Sequence, residues 1–357
     1  MNREFIEAIN ELEKEKHISK EVLIEAIESA LVSAYKKNYG TSQNVRVDID
    51  RETGDIAVLM KREIVDEVWD DMVEMSLEEA QEIDPRYEIG DAIEFQVTPR
   101  DFGRIAAQTA KQVVVQRIRE AERGMIFDDF ITKQGELVTG VVQRKSGDTY
   151  FVNMGRAEGI LSANEQVPGE SFEVNERLKV FIMDVKKTTK GPQVFLSRSH
   201  PGLVKRLFEL EVPEIQDGTV EIRGIAREAG SRTKIAVYTE DTNVDPVGAC
   251  VGTRGTRVQT IVDELNGEKI DIISWSETPE ELISNVLSPA KVEHVFANVE
   301  EKTATVVVPD YQLSLAIGKE GQNVRLAAKV SGWKIDIKSH TQYFGNEEGE
   351  EVFEVEE

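Results

Sequence analysis

The chain has 357 residues, 40% of them hydrophobic, which is enough for about two to four globular domains. It has no run of about 18 apolar residues, which excludes a membrane-spanning helix, and its charged first residues differ from a signal peptide. Its one cysteine, Cys250, excludes a disulfide framework. Together these features predict a cytoplasmic protein. Because the histidines are scattered as well, we expect no bound metal or cofactor.

The net charge of −24 is unevenly distributed. Residues 1–130 carry −13 and residues 346–357 carry −7, whereas residues 131–200 carry +2 and residues 201–345 carry −6. Phosphate binding favours Lys and Arg, so we expect the acidic first segment to meet a protein and the last twelve residues to form a disordered, solvated tail. An acidic surface that only increases solubility is the alternative for the first segment.

Residues 1–130 predict an α+β domain. Apolar residues at helical spacing and at alternating spacing distinguish its helices from its strands. The last helix is long, and we expect it to link this domain to the rest. The predicted helices are residues 2–16, 19–38, 76–80 and 103–130, and the predicted strands are residues 45–50, 56–61 and 93–97.

Residues 131–200 predict a domain made only of strands. Five short runs in this segment are typical of a small OB-type barrel, a fold that binds single-stranded nucleic acid. These runs are residues 137–144, 149–154, 158–161, 178–186 and 193–198.

Two adjacent aromatic residues of the barrel, Tyr150 and Phe151, alternate in direction along a strand. We therefore expect one of them in the core and the other available to stack on a base. Arg144, Lys186 and Lys187 supply positive charge in the same segment. The alternative is a solvated barrel whose aromatic residues all lie in the core.

The rest of the chain contains an internal repeat. Gly252-Thr253-Arg254-Gly255 recurs 66 residues later as Gly318-Lys319-Glu320-Gly321, and each loop follows a helix and two strands and precedes a helix and a strand. This order is that of a type II KH domain, in which a Gly-x-x-Gly loop holds four nucleotides of a single strand. An ordinary glycine turn is the alternative for either loop alone. We predict KH domains at residues 201–277 and 278–345.

Both loops have the chemistry that a sugar-phosphate backbone requires. Glycine lets the chain approach closely, and the N-H groups that begin the next helix attract anions. Side chains on the loops and helices are expected to reach phosphates or bases. The predicted RNA-binding residues here are Gly252, Thr253, Arg254, Gly255, Arg257, Gly318, Lys319, Glu320, Gly321, Gln322, Asn323 and Arg325.

Long motifs in the chain resemble the NusA family of bacterial transcription factors. They include LFELEVPEI at residues 207–215, DPVGACVGTRG at 245–255, ELNGEKIDI at 264–272 and AIGKEGQNVRLAA at 316–328. DFGRIAAQTAKQVV at residues 101–114 resembles the N-terminal domain of the same family.

The resemblance implies a transcription elongation factor, and we expect it to be non-enzymatic and monomeric. Its N-terminal domain would bind RNA polymerase near the RNA exit channel, and its S1 (OB-fold) and KH domains would hold nascent single-stranded RNA. The protein would modulate pausing, intrinsic termination and antitermination, and it would act with other antitermination factors. Glu320 departs from the charge that suits a phosphate, so we expect the second loop to bind RNA more weakly than the first.

Two alternatives remain at this stage. The first is an RNA-binding adaptor in RNA degradation or translation that never contacts the polymerase. The second is an enzyme such as a nuclease, but paired carboxylates at metal spacing are missing, and Gly318-Lys319 is followed by Glu320 where a Walker loop has Ser or Thr.

Overall fold

The computed structural model describes residues 3–16, 18–39 and 44–345. The chain divides into two compact units, Met1–Ile126 and Phe127–Glu357, and each is described by itself. The tail predicted at residues 346–357 lies outside the described residues. Within them, no helix is long and apolar enough to cross a membrane.

The first unit has helices on a four-stranded sheet. Its helices are α1 (Arg3–Lys16), α2 (Lys20–Tyr39), α3 (Leu77–Ile83) and α4 (Phe102–Ile131, which begins in this unit), and its strands are β1 (Val45–Ile49), β2 (Ile56–Val65), β3 (Glu74–Ser76) and β4 (Ala92–Gln96). β2 pairs antiparallel with β1 and β4 and parallel with β3. The sequence did not predict β3, because three residues are too few to show an alternating pattern.

Two hydrophobic cores hold the first unit together. One lies between α1, α2, β1 and the start of α4, where Phe102 is fully buried. The smaller one lies under α3 and includes Ile64, Met75 and Ile93. The hydroxyl of Ser76 accepts a hydrogen bond from the N-H of Glu79 and so caps the start of α3.

The second unit begins with a closed five-stranded barrel. Its strands are β5 (Leu137–Ser146), β6 (Thr149–Asn153), β7 (Glu158–Leu161), β8 (Arg177–Thr188) and β9 (Gly191–Ser197). The strand order is β5-β6-β7-β9-β8, and β7 pairs with β9 in parallel. The barrel agrees with the predicted OB type.

Two αβ domains of the same topology follow. The first consists of α5 (Pro201–Glu211), α6 (Pro213–Gln216), β10 (Glu221–Glu228), β11 (Arg232–Tyr238), α7 (Pro246–Val251), α8 (Thr256–Glu264) and β12 (Lys269–Ser274). The second consists of α9 (Pro279–Val286), β13 (His294–Asn298), β14 (Thr303–Val308), α10 (Leu313–Ile317), α11 (Gln322–Ser331), β15 (Lys334–Ser339) and α12 (His340–Phe344).

Each domain has a three-stranded sheet with one antiparallel and one parallel pair, as a type II KH fold requires. In the first domain, α6 follows α5 after a single residue and begins at Pro213. Proline is compatible with the first turn of a helix because no hydrogen bond needs its missing N-H there.

A buried arginine joins the barrel to the first KH domain. The side chain of Arg198 is 2% exposed, and its guanidinium donates to both carboxylate oxygens of Glu170 at 2.6 and 2.7 Å. It also donates to the backbone oxygens of Lys179 and Glu264 at 2.8 and 3.0 Å. Since these partners belong to both domains, the pairing fixes one domain against the other.

The two KH domains pack through one face of the first sheet. Ala226, Ala236 and Ile273 are buried in a single cluster with the core of the second domain. A Cβ on Gly224 would lie 2.7 Å from the backbone oxygen of Val330 in α11. Only a residue without a side chain permits this close approach, so the first sheet face is shaped for the second domain.

Candidate nucleic-acid interface

The two Gly-x-x-Gly loops have the same backbone conformation. Gly252 and Gly318 have φ of 74° and 75°. At the third position, Arg254 and Glu320 both adopt the left-handed region, with φ of 55° and 53°. The loops therefore present the same shape but carry opposite charge at matching positions.

The first and last glycines of each loop have different structural roles. A Cβ on Gly252 would lie 2.7 Å from the Cγ of Arg257, and one on Gly318 would lie 2.7 Å from the backbone nitrogen of Asn323. The first glycine is thus required by packing against the next helix. A Cβ on Gly255 would meet nothing within 4 Å, so the last glycine is explained by its left-handed φ of 80° and not by packing.

The loops open directly into α8 and α11, whose N-caps, Gly255 and Gly321, provide no side-chain hydrogen bond. The N-H groups of Thr256 and Gln322, which begin these helices, donate within the loops to the backbone oxygens of Thr253 and Lys319. The side chains of Thr253, Arg254, Lys319 and Glu320 are exposed beside them.

Arg257 and Asn323, two of the predicted RNA-binding residues, both donate to groups of the protein. Arg257 donates to the carboxylate of Glu214 at 2.9 Å and to the backbone oxygen of Ala249 at 2.6 Å. Asn323 is 2% exposed, and its amide donates to the backbone oxygens of Leu287 and Ala316, each at 3.0 Å. Both residues pack against the first glycine of their loop and support it. Asn323 is buried there, so its side chain cannot contact RNA.

Gln322 and Arg325 are likewise held by protein groups. Arg325 donates Nε and Nη2 to Glu228 of the first KH domain, both at 2.8 Å, and Nη1 to the backbone oxygen of Glu320 at 2.7 Å. Gln322 donates to Glu228 at 2.8 Å and to Ser231 at 2.7 Å. Glu228 thus braces the second loop from the first domain, and the hydrogen bond from Arg325 lowers the pKa of Glu228.

On the barrel, strand pairing forms an outward row of three apolar side chains. Phe151 on β6 lies opposite Ile160 on β7, which lies opposite Phe195 on β9. All three are partly exposed. The guanidinium of Arg144 lies 3.4 Å from the centre of the Phe151 ring, and Lys186 lies 5.1 Å from that of Phe195. Aromatic rings flanked by cations suit stacking with bases.

Tyr150 and Lys187 lie away from this row. Tyr150 is 3% exposed, and its hydroxyl accepts a hydrogen bond from the N-H of Phe172 at 3.3 Å. It is therefore the core member of the aromatic pair, which corrects its place among the RNA-binding residues. Lys187 lies 6.0 Å from the ring of Phe127. Sequence reasoning missed Ile160 and Phe195, since no local pattern shows that β7 and β9 are neighbours.

Among the residues that the structure describes, no three or more His, Cys, Asp or Glu side chains form a cluster that could hold a metal ion. Cys250 is fully buried, and burial raises the pKa of its thiol to about 12.

Four family descriptions match successive parts of the chain. They are the NusA N-terminal domain at residues 4–124, the S1 RNA binding domain at 132–197, the NusA-like first KH domain at 198–275 and the NusA-like second KH domain at 279–344.

Whole proteins match over nearly the full length. "Transcription termination/antitermination protein NusA" of Bacillus subtilis is 61% identical over 341 residues, which is 96% of this chain and 92% of that protein. The protein of the same name from Thermus thermophilus is 43% identical over 349 residues, 95% of this chain and 90% of that protein. The solution structure of the N-terminal domain of NusA from B. subtilis is 63% identical and covers 34% of this chain and 99% of its own, with a TM-score of 0.32.

Proposed function

The chain belongs to the NusA family of transcription termination and antitermination proteins, and on that premise we propose that it binds RNA polymerase and nascent single-stranded RNA together. Its first segment, residues 1–130, would dock on the polymerase. The S1 barrel at 131–200 and the KH domains at 201–277 and 278–345 would hold the emerging RNA. The protein would thereby change pausing, intrinsic termination and antitermination.

This proposal rests on the two Gly-x-x-Gly loops, which share the same backbone conformation. They belong to a unit in which the barrel and the two KH domains are fixed to each other. Arg198 ties the barrel to the first KH domain, and Glu228 ties the first KH domain to the second loop. A preorganised array spends little entropy on binding an extended strand. Tethering to the polymerase would raise the effective RNA concentration, so weak individual contacts suffice.

The residues that we propose to contact RNA form two groups. The loop group supplies backbone approach and charge, and the barrel group supplies stacking. They are Gly252, Thr253, Arg254, Gly255, Gly318, Lys319 and Gly321 in the loops, and Arg144, Phe151, Ile160, Lys186 and Phe195 on the barrel.

This mechanism acts by position and needs no chemical step. Holding RNA near its exit biases hairpin formation and pause lifetime. As a transcription factor, the protein would act as a monomer in the cytoplasm together with other antitermination factors.

The test is single-round transcription by bacterial RNA polymerase on a template with a hairpin pause and an intrinsic terminator. We expect the full chain to change pause lifetime or termination, and the variant Arg254→Asp/Lys319→Asp to lose most of this effect. Lys291→Asp/Lys302→Asp makes the same number of Lys or Arg to Asp changes outside the loops and should behave as the unaltered chain. RNA binding without any effect on transcription would favour the adaptor alternative.

A further inference from the structure

A short segment of the first unit presents apolar side chains to solvent. The indole of Trp69 is 84% exposed, and Val68 and Met72 are 39% and 42% exposed. This segment, residues 66–72, lies in the connection between β2 and β3. Tryptophan has a large apolar surface, and it is enriched among the residues that dominate binding at protein interfaces. Folding of this chain does not bury Trp69, whereas docking of a partner protein would.

The segment is held in one conformation. The Glu74 carboxylate accepts hydrogen bonds from the N-H groups of Trp69 at 2.6 Å and Asp70 at 3.0 Å. The carboxylate of Asp70 accepts another from the N-H of Met72 at 2.9 Å. A segment ordered in advance loses little conformational entropy when a partner binds.

The charge around Trp69 indicates the chemistry of that partner. Residues 63–94 contain thirteen Asp and Glu and one basic residue, Arg86, so they carry −12 of the chain's net −24. Arg86 is itself paired with Asp84 at 2.6 Å. Such a field repels RNA phosphates and attracts a surface rich in Lys and Arg.

We propose that residues 66–72 are an anchor for a basic protein surface, with Trp69 entering an apolar pocket and the neighbouring carboxylates pairing with Lys and Arg at its rim. This inference rests on the proposed function, because it assigns the surface by which the first unit docks on RNA polymerase. The apolar anchor supplies affinity, and the carboxylates supply steering that depends on salt.

The experiment measures the affinity of the full chain for core bacterial RNA polymerase. We expect Trp69→Ala to weaken binding about tenfold or more, and Trp69→Phe, which keeps an aromatic anchor, to recover much of the loss. Tyr311→Ala is the matched control, because Tyr311 is 78% exposed but lies in the second KH domain. Asp66→Asn/Asp71→Asn should make the affinity less dependent on salt.

The outcomes separate this inference from the proposed function. If the chain binds polymerase and Trp69→Ala binds equally well, the anchor is refuted while polymerase docking stands. If Trp69→Ala lowers affinity for single-stranded RNA as much as for polymerase, the segment is not a protein-docking surface. If the unaltered chain does not bind polymerase, the proposed function fails and this inference fails with it.

Discussion

Replacing Glu320 by Gln tests whether the second loop is weakened by its own charge. Glu320 occupies the position of Arg254 in the first loop with nearly the same φ, and both side chains are exposed. Two unit charges about 4 Å apart in water interact by about 1 kcal/mol, which corresponds to about a fivefold change in affinity. Gln at position 320 adds no backbone strain, because Glu320 already has a side chain at this positive φ.

We therefore expect Glu320→Gln to bind single-stranded RNA about fivefold more tightly, and Arg254→Ala about fivefold more weakly. The assay is fluorescence anisotropy with an oligonucleotide long enough to reach both loops, at several salt concentrations. Only Arg254→Ala should reduce the salt dependence, by about 0.7 in the logarithmic slope for one lost phosphate contact.

Glu301→Gln is the control, since it removes an equal charge from an exposed turn outside the loops. It should change affinity much less than Glu320→Gln does. The reasoning is refuted if Glu320→Gln leaves affinity unchanged while Arg254→Ala lowers it. Equal gains from Glu320→Gln and Glu301→Gln would show that total charge, not its position in the loop, sets affinity.

Three further predictions concern the barrel, its attachment and the buried thiol. Arg198→Ala should destabilise the protein by about 3–5 kcal/mol in urea unfolding because it leaves Glu170 charged and buried, whereas Arg144→Ala, which breaks a surface pair, should cost under about 1 kcal/mol. Phe195→Ala should weaken RNA binding by about 1–3 kcal/mol of stacking in anisotropy measurements, and unchanged affinity would remove the barrel row from the interface. Cys250 should react with a thiol reagent at pH 8 only as fast as the protein opens, since its pKa is raised to about 12; rapid reaction in the folded state would contradict its burial.

Local patterns explain which parts of the structure could be predicted. Alternation and helical spacing gave nearly all the strands and helices, and repetition gave the two loops. The exposed loop residues could be predicted from the same repeat. Glycines at both ends of a short segment before a helix indicate a turn, and the residues between them face solvent.

Contacts between distant segments explain what could not be predicted. The row of Phe151, Ile160 and Phe195 depends on the pairing of β7 with β9, which no local spacing encodes. The pairing of Arg325 with Glu228 could not be predicted, because the two residues lie 97 positions apart. Asn323 looked like a polar contact because sequence cannot show that its helix turns it beneath Gly318.

The tight packing at Gly224 makes the two KH domains unequal as building blocks. Strand register places His294 of the second sheet where the first has Gly224, and Phe296 where it has Ala226. Phe296 stacks on Tyr343 of α12, with ring centres 5.2 Å apart. A bulky aromatic surface cannot admit a helix as closely as glycine does. The face that accepts a neighbour in the first domain therefore cannot accept one as closely in the second, so the two domains cannot exchange places in the array.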